Sequence, residues 1–232
     1  MKYLKTITLF TISSLLLTSC LEMRTVEQLF NDSLNDVKVI NEKDIRTLVN
    51  LTKDDENIYW NEEGDKVLFF AFHNSLSKFS NGTFANDTYL YSLKEFRDWY
   101  MPKKMNTMDK TLRLKQLLGL KYSSAFDKIS TFYISPSNVI RPAYIKDPTK
   151  EMKTSFPEGE EESYIEWFNN ELAISRNEKT AFPWTRLGYS FDWSYNEGDR
   201  YGLSQFLSFK DKEYTFVNSY SVNEFYSYVT TL

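Results

Sequence analysis

Histidine is the side chain most readily tuned for proton transfer near neutral pH, and this 232-residue chain has a single one, His73. It stands at the exit of the apolar run KVLFFAFH (66–73), where it is either an acid–base group or a structural residue at a strand end. With no second histidine, and the only cysteine at position 20, a tetrahedral zinc site of nitrogen or sulfur ligands is excluded. No metal and no cofactor are expected.

Three arginines lie inside apolar or rigid segments: Arg113 in LRLKQLLGL, Arg141 before Pro142, and Arg186 in PWTRLGYSFDW. An arginine in such surroundings needs an anionic partner. Either the three converge on a phosphate or carboxylate ligand, or they pair internally with acids such as Asp192 or Asp147. Tyr189, Trp193, Tyr195 and Tyr201 either line a pocket by stacking on a sugar or base, or belong to the core of a chain with 39 aromatic residues. If 186–193 pairs with 203–209, Asp192 and Gln205 fall on neighbouring strands, where a carboxylate and an amide suit hydrogen-bonded recognition.

The stretch Pro183 to Trp193 organises these candidates. Its alternation places Thr185, Leu187, Tyr189 and Phe191 on one side of an extended strand, and Arg186, Gly188, Ser190 and Asp192 on the other. One face would be core and the other free to bind. Gly188, between Leu187 and Tyr189, marks a bulge or a close backbone approach.

The remaining elements follow from periodicity and punctuation. Apolar residues at helical spacing predict one or two amphipathic helices over 24–51, the second capped by Asn41. Strands are predicted at 66–73, 87–92 and 129–134. A capping-box pattern at Ser92 and Glu95 opens a helix that Pro102 stops, and Asp109 to Leu120 forms another, ending at Gly119. A helix from about Glu160 to Leu172 follows, then a hairpin of 202–209 and 213–218 around Asp211-Lys212, and a short helix near Ser221 to Tyr228. Helices and strands without regular alternation predict an α+β fold: a mixed or antiparallel sheet with flanking helices, preceded by a short helical N-terminal segment.

The N-terminus has the form of a secretory signal, with Lys2 and Lys5 before the apolar run Ile7 to Leu17. That run ends in Leu17-Thr18-Ser19-Cys20, which resembles the bacterial lipobox, a cleavage site whose cysteine becomes lipidated. The resemblance implies a triacylated Cys20 as the first mature residue and a stable membrane anchor on the periplasmic or cell-surface side. Leu21 in the next position favours the outer membrane if the host has one. Residues 1–19 are then the signal peptide, 20–65 a lipidated N-terminus with a helical and acidic preface, and 66–232 a single domain without disulfides. Losing residues 1–19 removes two Lys and no acid, so the formal charge moves from −4 to −6. A mildly acidic chain without a basic tract does not suit nucleic acid.

LRLKQLLGL (112–120), the segment from Ser135-Pro136 to Arg141-Pro142, PWTRLGYSFDW and YGLSQF (201–206) together resemble an uncharacterised family of exported bacterial proteins. The resemblance covers about Val67 to Val217 and implies a shared fold. An acidic residue commonly stands in that family where this chain has Gln205; a catalytic carboxylate there would leave this member impaired. Glycine-rich phosphate loops, G-x-S-x-G elbows and calcium loops are absent from the sequence. Two functions remain. One is an envelope lipoprotein that binds a small anionic ligand or an envelope protein in an aromatic and arginine-lined groove. The other is an enzyme on an anionic, nucleotide-like or sugar-phosphate substrate, with His73 as acid or base and Arg141 and Arg186 as clamps, which requires His73, Arg141, Arg186 and Gln205 around one concavity.

Overall fold

A computed structural model describes residues 24–74, 79–80, 82–103, 109–194 and 200–232. The elements in order are α1 (Val26–Asp36), β1 (Val67–His73), β2 (Gly82–Thr83), β3 (Thr88–Ser92), α2 (Leu93–Tyr100), α3 (Lys110–Leu117), β4 (Lys128–Ile134), α4 (Glu162–Arg176), β5 (Tyr189–Phe191), β6 (Tyr201–Ser208), β7 (Glu213–Ser221) and α5 (Val222–Val229). The strands form one seven-stranded sheet in the order β2-β7-β4-β1-β3-β6-β5, and every pairing is antiparallel. The fold is α+β.

β1 sits at the middle of the sheet, which accounts for its unbroken apolar sequence: all seven of its residues are buried. Successive side chains point to opposite faces. Leu68, Phe70 and Phe72 join Phe96, Leu114, Leu117 and Phe225 under helices α2, α3 and α5. Val67, Phe69 and Ala71 face Phe84, Phe132, Phe206 and Tyr214 on the other side. That second core is closed by Val49, Leu51 and Ile58, from the stretch expected to be a preface.

Leu29, Phe30 and Leu48 likewise pack against residues of the later chain. Helix α1, capped by Thr25 and Gln28 in a reciprocal box, sets Phe30 edge-on against Trp193 at 5.6 Å. The second helix expected there is absent. Asn41 opens only a short 3-10 turn, Glu42–Asp44, and the chain then runs extended. Its backbone is drawn to distant partners: the Val49 N–H donates to Ser204 Oγ, and the Val49 carbonyl accepts from Arg141.

Two further expectations are corrected. β6 and β7 flank a turn at Asp211-Lys212 but do not pair with each other; β6 lies between β3 and β5, and β7 between β2 and β4. In a flat sheet, four strand spacings of ~4.8 Å would separate them by about 19 Å. Five Cα steps span at most roughly 18 Å when fully extended. The link is a turn, with the Lys212 N–H on the Phe209 carbonyl, so the sheet must curl. Phe84 sits inside the curl, exchanging backbone bonds with Asp211 and Lys212.

The long strand expected at 185–192 is reduced to Tyr189–Phe191. Arg186 (φ 61°) and Gly188 (φ 79°) are both left-handed, which breaks the two-residue alternation. The segment instead forms isolated bridges, Ala143 to Leu187 and Trp184 to Ser190, and every residue from Pro183 to Ser194 is buried. Neither of its sides is open as an extended face, though Trp184 and Arg186 border a recess.

Candidate functional site

The ladder between β1 and β3 consists of two pairs, Phe69↔Ser92 and Phe70↔Tyr91. Beyond it, β1 stays with β4 as far as His73↔Lys128, and β3 stays with β6 as far as Thr88↔Ser208. The two halves of the sheet diverge there, and a cleft of about 700 Å³ lies in the fork. Phe72, Tyr91, Leu118, Phe126 and Phe182 make most of it apolar and aromatic, and Gln205 contributes an amide.

That amide defines the chemistry of the cleft. Gln205 is 5 % exposed, its Nε2 lies 3.5 Å from the Tyr91 hydroxyl, and its Oε1 has no hydrogen-bond partner among the described residues. Turning the amide over would exchange an orphan acceptor for an orphan donor. Tyr91 is held as the neutral phenol, its pKa pushed up to about 12 by burial. The cleft thus pairs a hydrophobic wall with a neutral, unsatisfied acceptor, an arrangement that suits recognition of a hydrogen-bond donor.

His73 also lines the cleft, but both its ring nitrogens are engaged within the protein. Nδ1 lies 2.8 Å from the Asn74 carbonyl and Nε2 2.8 Å from Ser130 Oγ, which itself lies 3.1 Å from Ser219 Oγ. Burial lowers its pKa, which favours the neutral ring. The carbonyl requires the proton on Nδ1, leaving Nε2 to accept the Ser130 hydroxyl proton.

The three arginines do not converge. Arg113 is paired with Asp192 by two parallel bonds, Nη1 to Oδ1 at 3.0 Å and Nη2 to Oδ2 at 2.6 Å, with both side chains 2 % exposed. Arg141 is fully buried and donates through Nη2 to the Val49 and Pro148 carbonyls at 2.8 and 3.0 Å. Its pKa is pushed down to about 10 by burial, with Glu95 and Asp147 opposing. Arg186 donates to the Val37 carbonyl at the end of α1 and lines a different recess. His73 and Gln205 share one concavity; Arg141 and Arg186 are not in it.

Of the aromatic candidates, Tyr189 and Trp193 are buried and Tyr201 is half-buried. Trp193 donates through Nε1 to the Leu120 carbonyl at 3.0 Å. Tyr189 donates to the Asp44 carbonyl and packs 5.2 Å from Tyr201, whose hydroxyl donates to Glu95. Tyr195 and Cys20 lie outside the described residues. Strand pairing does bring 189–191 beside β6, but Asp192 turns to Arg113 while Gln205 turns to the cleft.

Two polar residues of weight were not singled out from the sequence. Tyr91 was hidden within the alternation of DTYLYS. Glu95 read as half of a capping box, and Ser92 does cap α2, but the Glu95 carboxylate leaves its own helix for β6. It accepts from the Ser204 N–H at 3.0 Å, the Ser204 hydroxyl at 3.0 Å and the Tyr201 hydroxyl at 2.7 Å. Burial raises its pKa against these bonds. Among the described residues no group of three or more His, Cys, Asp or Glu is arranged to hold a metal ion.

No protein-family model matches the chain, and comparison with curated proteins and with solved structures likewise gives no match.

Proposed function

We propose that this chain is a lipid-anchored binding protein of a bacterial cell envelope, which holds a small, largely apolar or aromatic molecule in the cleft between β1 and β3. The observation that carries the reading is Gln205, which lines an apolar cleft and whose buried Oε1 has no hydrogen-bond partner among the described residues. Leaving such a group unsatisfied costs about 1–3 kcal/mol, and a ligand N–H or O–H would recover it. Binding is favoured over catalysis because His73 spends both nitrogens on Asn74 and Ser130, and because neither Arg141 nor Arg186 stands beside it in the cleft. The anchor in this reading is the acylated Cys20; no helix among the described residues is long and apolar enough to cross a membrane.

Native mass spectrometry of the protein purified from its own cells tests the cleft. A bound small molecule is expected in the wild type and absent from Gln205→Leu. A ligand-free wild type, or equal occupancy in the variant, would overturn the reading. The anchor is tested separately by Cys20→Ala, which should leave the protein unprocessed at the lipobox and shift it to the aqueous phase in detergent partitioning.

A further inference from the structure

Beside the cleft, and sharing Lys121, Ala181 and Phe182 with it, lies a second recess of about 570 Å³ between α1, the end of α4 and the segment around Arg186. Its charge is one-sided. Lys38, Lys121, Arg176 and Arg186 line it against a single acid, Glu178, which is exposed. None of the four cations has a carboxylate within ion-pair distance among the described residues.

Arg186 is the unusual member. It is 4 % exposed, yet its guanidinium makes one hydrogen bond among the described residues, to the Val37 carbonyl, and its Nε is buried with no partner. Burial lowers its pKa; Tyr144 opposes that lowering, and the neighbouring cation Arg176 adds to it. Its backbone is left-handed at φ 61°, a conformation that a residue with a Cβ adopts only at a cost. A buried, incompletely bonded arginine with a second arginine beside it, in a strained conformation, is poorly explained by stability and well explained by an anion.

We infer that this recess is a phosphate subsite, in which Arg186, Arg176 and Lys121 hold the phosphoryl group of a small molecule. Four cations against one acid exceed what a single carboxylate would balance, whereas a phosphoryl group carries about −1.5 to −2 charges at neutral pH. Building on the binding role proposed above, the shared wall makes the whole ligand an apolar or aromatic body in the cleft with its phosphate beside Arg186.

Melting temperature in inorganic phosphate, against sodium chloride at equal ionic strength and against acetate, tests the subsite with the purified protein. Phosphate at about ten times its Kd should raise the midpoint by roughly 3–6 °C above the chloride control. The shift should be lost in Arg176→Gln and Arg186→Gln and retained in Gln205→Leu. Arg176 is exposed, so its variant decides the matter even if Arg186→Gln fails to fold. No excess shift in the wild type, an equal shift in Arg176→Gln, or acetate matching phosphate would overturn the subsite. None of these results bears on the ligand in the cleft, which stands or falls on the mass-spectrometric comparison.

Discussion

Arg113 and Asp192 meet in the interior through two parallel bonds, with neither side chain more than 2 % exposed, and so fasten α3 to the segment leaving β5. The Trp99 ring lies 4.8 Å from the guanidinium, and the Ser194 N–H donates to Asp192 Oδ1, so both charges are bonded beyond the pair itself. Breaking such a pair from one side leaves an uncompensated buried charge, which costs on the order of 3–5 kcal/mol. Asp192→Asn should therefore lower the unfolding free energy by about that much. The double variant Arg113→Met/Asp192→Leu should be clearly more stable than Asp192→Asn, because it removes both charges. Denaturant titration of the three proteins measures this, and a neutral Asp192→Asn would show that the pair is not the fastening described.

Gly188 faces Arg141. A Cβ at position 188 would lie 2.4 Å from Arg141 Cδ and 2.8 Å from Cγ, and the backbone there is left-handed at φ 79°. The conformation and the overpacking add, at about 1–2 and 1–3 kcal/mol. Gly188→Ala should destabilise the protein by roughly 2–5 kcal/mol in a thermal or urea melt. An unchanged midpoint would mean that Arg141 moves aside freely, contrary to its two carbonyl bonds.

Gly188 also marks the limit of what the sequence made legible. The helices and central strands are readable because their signals are local: Thr25 and Gln28, Ser92, Asp109 and Ser221 cap where such residues should, and β1 is apolar because both its faces are covered. Three features depend on partners distant in sequence. The alternation from Thr185 to Asp192 is genuine in composition, but two left-handed residues interrupt it. The turn at Asp211-Lys212 looks like a hairpin, but the curl around Phe84 gives β6 and β7 different neighbours. The arginines announced that they need partners without saying which: Arg113 has Asp192, Arg141 has two main-chain carbonyls, and Arg186 has the Val37 carbonyl with its Nε left unpartnered among the described residues. The cleft has no local signature, because it arises where two strands stop pairing.

His73, the only histidine, gives a pH signature that can be assigned to one residue. Burial holds its folded pKa below the ordinary value of about 6.5. As pH falls through 6.5 the unfolded chain takes up a proton that the folded protein does not accept until a lower pH. The contribution of His73 is therefore complete above pH 6.5 and is lost as pH falls toward the folded pKa. The raised pKa values of Glu95 and Glu171 act in the opposite sense, but they are common to wild type and variant and cancel in the difference. The unfolding free energy of the wild type minus that of His73→Gln, followed from pH 7.5 down to pH 5, should shrink. A constant difference would show that His73 titrates alike in both states.

The last prediction separates a binding amide from a structural one at Gln205. If the 3.5 Å approach of its Nε2 to the Tyr91 hydroxyl were what keeps the amide in the sheet, Gln205→Leu would lose that bond and the protein would be weakened. That contact is long for a hydrogen bond, whereas the buried Oε1 has no partner among the described residues, and an apolar side chain of similar size removes the unsatisfied group altogether. Gln205→Leu should then raise the unfolding free energy by about 1–2 kcal/mol while abolishing ligand retention. Stability gained together with binding lost is what a residue kept for recognition gives. A variant that is clearly less stable than wild type would assign Gln205 to the scaffold and leave the cleft without its polar determinant.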